Sequence, residues 1–253
     1  MLRDLLMKFR KGEISLDDAE REISGLRIGL VSDIACLDLG RRTRCGIPEV
    51  VLAEGKEPAH LLEIAMSCVE ATGHCIITRI PLDLGMTVRK EGEKKGINAV
   101  YNERGHVLVL TMGAPVPQTG GTVGIITAGT SDIKVAEEAK VIAEEMGCRV
   151  LTAYDVGAAG IHRLFPALQS LCEADVLIVA AGREGTLPSV VAGLVDLPVI
   201  GVPVSTGYGY MGEGMAALAS MLQSCSVIAV VNIDSGFTAG AFAARIANMV
   251  VSK

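Results

Sequence analysis

"TVGIITAGTSDIKVAEEAKVIAEEMG", residues 122 to 147, decides how the chain must be read. It opens on an apolar run, breaks at Gly-Thr-Ser, and turns to helical periodicity with acidic residues early and a glycine stop. An apolar strand followed at once by such a helix is half of a β-α-β unit, because a strand buried on both faces needs helices as cover. The alternation then continues. "CRVLTAYDVG" leads to a predicted helix through "IHRLFPALQSLCE", and "ADVLIVAAG" to a short helix in "LPSVVAGLVD" with proline near its first turn. "LPVIGVPVS" leads to "EGMAALASMLQS", and "VIAVVNID" to the Ala-rich "AGAFAARIANMVVS". Five strands alternating with five helices predict an α/β domain: an open, parallel, doubly wound sheet with helices on both faces. Right-handed crossovers put all five strand C-termini on one edge, where ligands bind in such sheets.

The polar residues sort to that edge. Directly after the strands come "AGTSD" (128–132), "YDVGAAGIHR" (154–163), "AGREG" (181–185), "PVSTGYG" (203–209) and "NIDSGFTAG" (232–240). Helix N-termini follow these loops, and their free N–H groups favour phosphate or carboxylate. Any doubly wound domain uses glycine at its βα turns, so one such loop says little. Five on one rim predict a binding edge.

Upstream, "GAPVPQTGGTVG" (113–124) carries two prolines and four glycines and reads as a linker. It divides the chain into an N-terminal part, 1–115, and the α/β domain, 120–253. Residues 1–24 read as two short amphipathic helices, with Ser15 of "SLDD" as an N-cap. "EPAHLLEIAMSCVEATG" reads as a helix, and "HCIITRI" and "HVLVLTMGA" as strands, so a smaller α+β domain is expected there.

Composition excludes several classes of function. The chain has 253 residues, half of them apolar, with four Tyr, four Phe and no Trp. Its core is therefore Val, Ile, Leu, Ala and Gly. A net charge of −6 without blocks of either sign argues against nucleic-acid binding, which needs a basic face. No apolar stretch is long and uninterrupted enough to cross a bilayer. The opening "MLRDLLMKFRKGEISLDDAERE" is charged throughout and has no signal-peptide core. Seven cysteines lack CxxC spacing, so disulfide frameworks and zinc sites are poor readings and a reducing cytoplasm is the expected compartment.

Two constellations could carry chemistry. "LDLGRRTRCGIPEVVLAEGKEPAH" (37–60) sets Arg41, Arg42, Arg44 and Lys56 near Asp38, Glu49 and Glu54. Arginine suits bidentate contact with phosphate or carboxylate, yet charges in such a loop also pair with one another. The glycine and proline punctuation favours a shaped, ligand-holding loop. The second is Cys225 in "QSCSVIAVVNID". A cysteine beside a strand is most often core filler. It also stands ahead of the fifth strand, on the edge opposite the loop rim; an inter-subunit cleft or an early end to the fourth helix would reconcile that position with a catalytic role.

These motifs carry a family resemblance. "TSD", "HRLFP", "LPSVVAGLVDLPVIGVPVS" and the Ala-rich last helix resemble the PurE family of aminoimidazole ribonucleotide carboxylases and mutases, a flavodoxin-like domain. With "DLGRRTRCGIPEVVLAEGK" and "NIDSGFTAG" added, the whole chain more closely resembles the LarB family of pyridinium-3,5-biscarboxylic acid mononucleotide synthases. That resemblance implies the first step of nickel-pincer nucleotide synthesis, the carboxylation of nicotinic acid adenine dinucleotide by CO2 with release of AMP.

The same resemblance implies roles. Cys225 maps to the family's nucleophile, and Glu184 to a base or orienting carboxylate. His162 and Arg163 correspond to the PurE "HR" pair, with His162 either catalyst or structural partner. Gly129, Ser131 and Asp132 correspond to the phosphate-contacting loop. Asp155, Gly182, Asn232 and Asp234 complete the expected binding set with Asp38, Arg41, Arg44 and Lys56. The family implies Met where this chain has Arg183. Mg2+ is expected at the phosphoanhydride, with Asp38, Asp155 and Asp234 as open alternatives for its ligands. A homo-octamer is expected from the PurE resemblance. The competing readings are a PurE-type carboxylase and a nucleotide-binding module without turnover.

Overall fold

The computed structural model describes residues 2–25 and 27–252; Met1, the first residue of the predicted N-terminal helix pair, lies outside them. Contacts divide the chain into two compact units, Met1–Tyr101 with Val107–Pro115, and Asn102–His106 with Val116–Lys253.

The first unit opens with α1 (Leu2–Arg10) and α2 (Leu16–Ser24). Ser15 caps α2, its hydroxyl accepting from the Asp18 N–H at 3.1 Å. A small antiparallel ribbon follows, β1 (Gly29–Val31) with β2 (Ala35–Leu37), then the one-turn helix α3 (Arg41–Cys45). Next come β3 (Val50–Leu52), α4 (Pro58–Thr72), β4 (His74–Thr78), α5 (Leu82–Lys94), β5 (Asn98–Asn102) and β6 (Val107–Thr111). The sheet order is β3-β4-β6-β5, with β3 parallel and β6 antiparallel to β4. This is the expected α+β arrangement. The β1–β2 ribbon, α3, β3, α5 and β5 carry no periodicity strong enough to predict; all four of these strands and α3 are five residues or shorter.

The second unit holds β7 (Thr122–Thr127), α6 (Ile133–Glu145), β8 (Arg149–Ala153), α7 (Leu164–Ser170), β9 (Val176–Ala181) and α8 (Leu187–Ala192). It ends with β10 (Val199–Pro203), α9 (Met215–Leu222), β11 (Ala229–Val230) and α10 (Gly236–Val251). All strand pairs are parallel, in the order β8-β7-β9-β10-β11. The doubly wound sheet is thus as expected. Every residue of β7, β9 and β10 is buried, as strands covered on both faces must be. The order reverses between β7 and β9, which makes their carboxyl ends the switch-point crevice of the sheet.

One face is covered by α6 and α10, the other by α7, α8 and α9, whose Leu164, Val191, Ala217 and Met221 share a buried cluster with β9. The α6–α10 contact is made by small residues. Gly236, Ala239, Gly240, Ala243, Ala244 and Ala247 are buried, and a Cβ at Gly240 would collide with the Ala139 carbonyl. That closeness explains the Ala- and Gly-rich end of the sequence.

Two predicted elements differ from the structure. The helix through "IHRLFPALQSLCE" begins as a 3-10 turn, Ala158–Arg163, broken at Gly160 (φ −115°, ψ 55°), before α7 starts at Leu164. The predicted strand "VIAVVNID" pairs only over Ala229–Val230. Its approach is tied down beforehand, since the Ser226 hydroxyl donates to the Ser189 carbonyl at 2.8 Å. As an edge strand it has one neighbour, so the chain joins the sheet late.

Candidate active site

Loops 128–132, 157–159, 181–187 and 206–208 line a cleft of about 270 Å3 at the carboxyl ends of β7 and β9. Four of the five predicted glycine loops therefore meet at the switch point. The fifth braces the fourth from behind. The Asp234 N–H donates to the Pro203 carbonyl at 2.9 Å, and Asp234 Oδ1 accepts from the Ser205 N–H at 2.9 Å. Asp234 adopts φ +55°, a left-handed turn that Asp tolerates through such local bonding.

Asp132 organises the cleft. It is only 4% exposed, and its two oxygens serve two different loops. Oδ2 accepts from the Gly129 N–H at 2.8 Å, and Oδ1 accepts from the Thr206 hydroxyl at 3.2 Å. Gly182 completes the grip, because a Cβ there would stand 3.2 Å from Thr206 Oγ1 and 3.4 Å from Asp132 Oδ1. Burial raises the Asp132 carboxyl above its ordinary value, against the lowering effect of its hydrogen-bond donors. Its position is that of a loop organiser as much as a ligand group.

Of the other expected site residues, Gly129, Ser131, Gly182 and Glu184 line this cleft. Ser131 and Glu184 are exposed there. Asp155 (φ +59°) pairs with Arg163 at 3.1 Å, and Arg163 lies over Gly160, where a Cβ would stand 2.8 Å from its Nε. That exposed pair shapes the 154–163 loop more than it stabilises it. His162 is exposed in the same turn, and other residues line the cleft. Asn232 is exposed, and its Oδ1 accepts from the Ile233 N–H at 2.9 Å.

Cys225 is exposed and free. It lies between Ser224 and Ser226, whose hydroxyls engage Ser189, and it precedes β11 at the edge away from the rim. The other thiols divide. Cys68, Cys75 and Cys148 are buried, Cys45 is half-buried, and Cys36 and Cys172 are exposed. Burial pushes the Cys148 thiol up to about 11, so it is inert filler at neutral pH.

The 37–60 cations lie in the first unit, and several already have carboxylate partners. Arg44 forms a two-pronged pair with Asp38, at 3.1 Å for its Nη1–Oδ1 contact, and also donates to the Gly25 carbonyl at 2.9 Å. Arg41 meets Glu49 at 3.3 Å, and Glu54 meets Arg79 at 3.1 Å. Lys56 and Arg42 are exposed. The loop is thus shaped from within, by the charge pairing that its composition also allowed.

The acids expected to hold Mg2+ do not form a donor set. Asp38 is engaged by Arg44, Asp155 by Arg163 and Asp234 by the Ser205 N–H, and no group of three metal-ligating side chains occurs among the described residues. The residues do not fit a protein-built metal site, and no step is assigned to one.

Thr206, Thr186, Arg183 and Tyr208 also line the cleft and carried no role in the sequence reading. Their signal was present only as a loop composition, "PVSTGYG" and "AGREG". The long-range bonds that place them are invisible in one dimension.

Comparison with known proteins follows the two units. Residues 122–252 match the AIR carboxylase family, and residues 30–112 match the LarB/PurE-like N-terminal domain. An uncharacterized protein of Methanocaldococcus jannaschii is 46% identical over 254 residues, covering 98% of each chain. An N5-carboxyaminoimidazole ribonucleotide mutase of the same organism is 37% identical over 127 residues, 48% of this chain and 76% of its own. The Thermotoga maritima protein of that name is 34% identical over 132 residues, 49% of this chain and 73% of its own. Among the described residues no helix is long and apolar enough to cross a membrane. The chain therefore belongs to the AIR carboxylase family, in the LarB form that sets a LarB/PurE-like domain ahead of the carboxylase domain.

Proposed function

We propose that this carboxylase-type chain carboxylates nicotinic acid adenine dinucleotide at pyridinium C5 and hydrolyses its phosphoanhydride, giving pyridinium-3,5-biscarboxylic acid mononucleotide and AMP. The observation that carries the reading is the union of a LarB/PurE-like domain with an AIR carboxylase domain whose switch-point cleft exposes a carboxylate, Glu184.

The chemistry explains why a thiol is wanted. A pyridinium ring and CO2 are both electrophiles and do not combine. Addition of the Cys225 thiolate to ring C4 forms a C–S bond and sends a ring electron pair to nitrogen, leaving an enamine whose C5 is nucleophilic. C5 bonds the carbon of CO2, and a CO2 oxygen takes the charge. Glu184 accepts the C5 proton, the C4–S bond breaks, and its electron pair leaves with sulfur as aromaticity returns. Water then attacks phosphorus, AMP departs, and the C5 proton and one from water are released.

Cys225 stands away from the rim of its own sheet. The proposal therefore includes assembly, a homo-octamer in which the exposed thiol of one copy serves the cleft of an adjoining one. A monomeric mass by light scattering at assay concentration would count against that part.

Incubation of the purified chain with the dinucleotide, bicarbonate and Mg2+ tests the reaction, followed by mass spectrometry. A product heavier by one carboxyl, with AMP released in equal amount, is the expected outcome. The mutases matched by residues of the second unit favour a second reading, an aminoimidazole ribonucleotide substrate. Turnover of that compound with the dinucleotide unchanged would replace the first reading by the second.

A further inference from the structure

Several arginines of the chain meet carboxylates, among them Arg41 with Glu49, Arg44 with Asp38, Arg149 with Glu173 and Arg163 with Asp155. Arg183 does not follow that pattern. Its Nη1 donates to the Tyr208 hydroxyl at 2.9 Å, and its guanidinium carbon lies 4.7 Å from the centroid of the same ring. Both contacts are to one neutral side chain. The ring orients the guanidinium plane without cancelling its charge, and donors of the fork are left for an anion.

The backbone fixes where this charge stands. Arg183 is left-handed, at φ +40°, a conformation non-glycine residues seldom hold. Gly207 of the neighbouring loop lies against it, and a Cβ there would stand 2.8 Å from Arg183 N and 3.2 Å from its Cα. Only glycine allows the two loops to cross so closely, and the crossing brings Tyr208 to Arg183.

A second cleft, of about 360 Å3, opens beside the first and is lined by residues 207–212 with Gly214 and Ala216. Arg183, Glu184 and Tyr208 line both. The stacked pair, together with Glu184, thus forms the shared wall between two compartments at the carboxyl edge. A ligand that fills both must pass its linker along the guanidinium.

We propose that Arg183 is a substrate-binding residue of this rim, taking the diphosphate that joins two ring-bearing halves of a dinucleotide, with one half in each cleft. The identity of the dinucleotide rests on the function proposed above; the anion site itself does not. Arginine suits this task because its planar fork contacts two phosphate oxygens at once.

Calorimetric titration of the full chain with inorganic pyrophosphate tests the site directly, in wild type, Arg183→Met and Arg183→Lys. The wild type is expected to bind, Arg183→Met to weaken binding about tenfold or more, and Arg183→Lys to recover part of the loss. Nicotinic acid adenine dinucleotide should weaken by a similar factor. Nicotinic acid mononucleotide, which has no diphosphate, should change by less than about threefold in the same comparison. Pyrophosphate that fails to bind the wild type, or binds Arg183→Met equally well, overturns the proposal whatever the carboxylation assay gives. Pyrophosphate binding that depends on Arg183 in a chain that does not carboxylate the dinucleotide supports the site and removes only the substrate's name. Arg183 is exposed, so both variants should melt with the wild type; if Arg183→Met does not, Arg183→Gln carries the same comparison.

Discussion

The Thr206 hydroxyl donates to Asp132 Oδ1 at 3.2 Å, joining loops 74 residues apart in sequence. With the Gly129 N–H of its own loop on its other oxygen, this carboxylate sets the mutual position of two of the loops that line the cleft.

Asp132→Ala should therefore destabilise the chain by about 1–3 kcal/mol, because it leaves the Gly129 N–H and the Thr206 hydroxyl without their acceptor. Denaturant unfolding measures this. A loss under about 0.5 kcal/mol, the range of ordinary surface substitutions, would mean the loops are held by other contacts.

The same residue predicts a pH dependence. Its folded pKa is raised by burial, so the folded state binds that proton more tightly than the unfolded chain does. The stability it contributes is complete below the unfolded value, about 3.9, and is lost as pH rises through the folded one. The stability of wild type relative to Asp132→Asn should accordingly increase as the pH is lowered through that window. A difference that stays flat from neutral pH down to about 4 would contradict the burial account.

Cys225→Ala should abolish carboxylation while leaving the melting temperature within a degree or two, since the residue is exposed. Mass spectrometry of the wild type quenched during turnover should find the ring adduct on the Cys225 peptide. Retained carboxylation of the dinucleotide in Cys225→Ala sinks the covalent step; turnover of an aminoimidazole ribonucleotide by this variant, with the dinucleotide unchanged, favours the second reading, which needs no thiol.

Glu184→Gln should lower kcat by about 10²–10⁴-fold, the usual contribution of a positioned base. The folded state should be unaffected, as Glu184 is exposed at the cleft. If KM rises and kcat is kept, Glu184 binds substrate and another group takes the proton.

Gly240→Val tests the helix pair. A side chain there meets the Ala139 carbonyl across the α6–α10 contact, so a loss of about 1–3 kcal/mol or more is expected from overpacking. The same substitution at Gly55, where a Cβ would meet nothing within 4 Å, should cost only the strain of its φ of +76°.

Periodicity alone revealed the second unit. The apolar runs of β7, β9 and β10 and the stripe of α6 are local patterns, and parallel strands joined by helices leave few topologies open. It also located the rim, because strand ends and glycines are local features. Ser15 as a cap was likewise a local matter, one hydroxyl three residues from the N–H it accepts. The short β1–β2 ribbon and α3 escaped because three to five residues carry no measurable period, whereas β11 was foreseen but pairs over less of its length than its apolar run suggested.

What the residue order determined, then, is the alternation of strand and helix and the placing of polar loops after the strands. Only the tertiary structure decided which polar groups face each other. Asp132 with Thr206 and Arg183 with Tyr208 are products of loop crossings. It sorted the 37–60 charges into internal pairs and left Arg183 against a neutral ring. The physical reason is range: hydrophobic period and caps act within a few residues, whereas a hydrogen bond or ion pair depends on distance in space, whatever the separation along the chain.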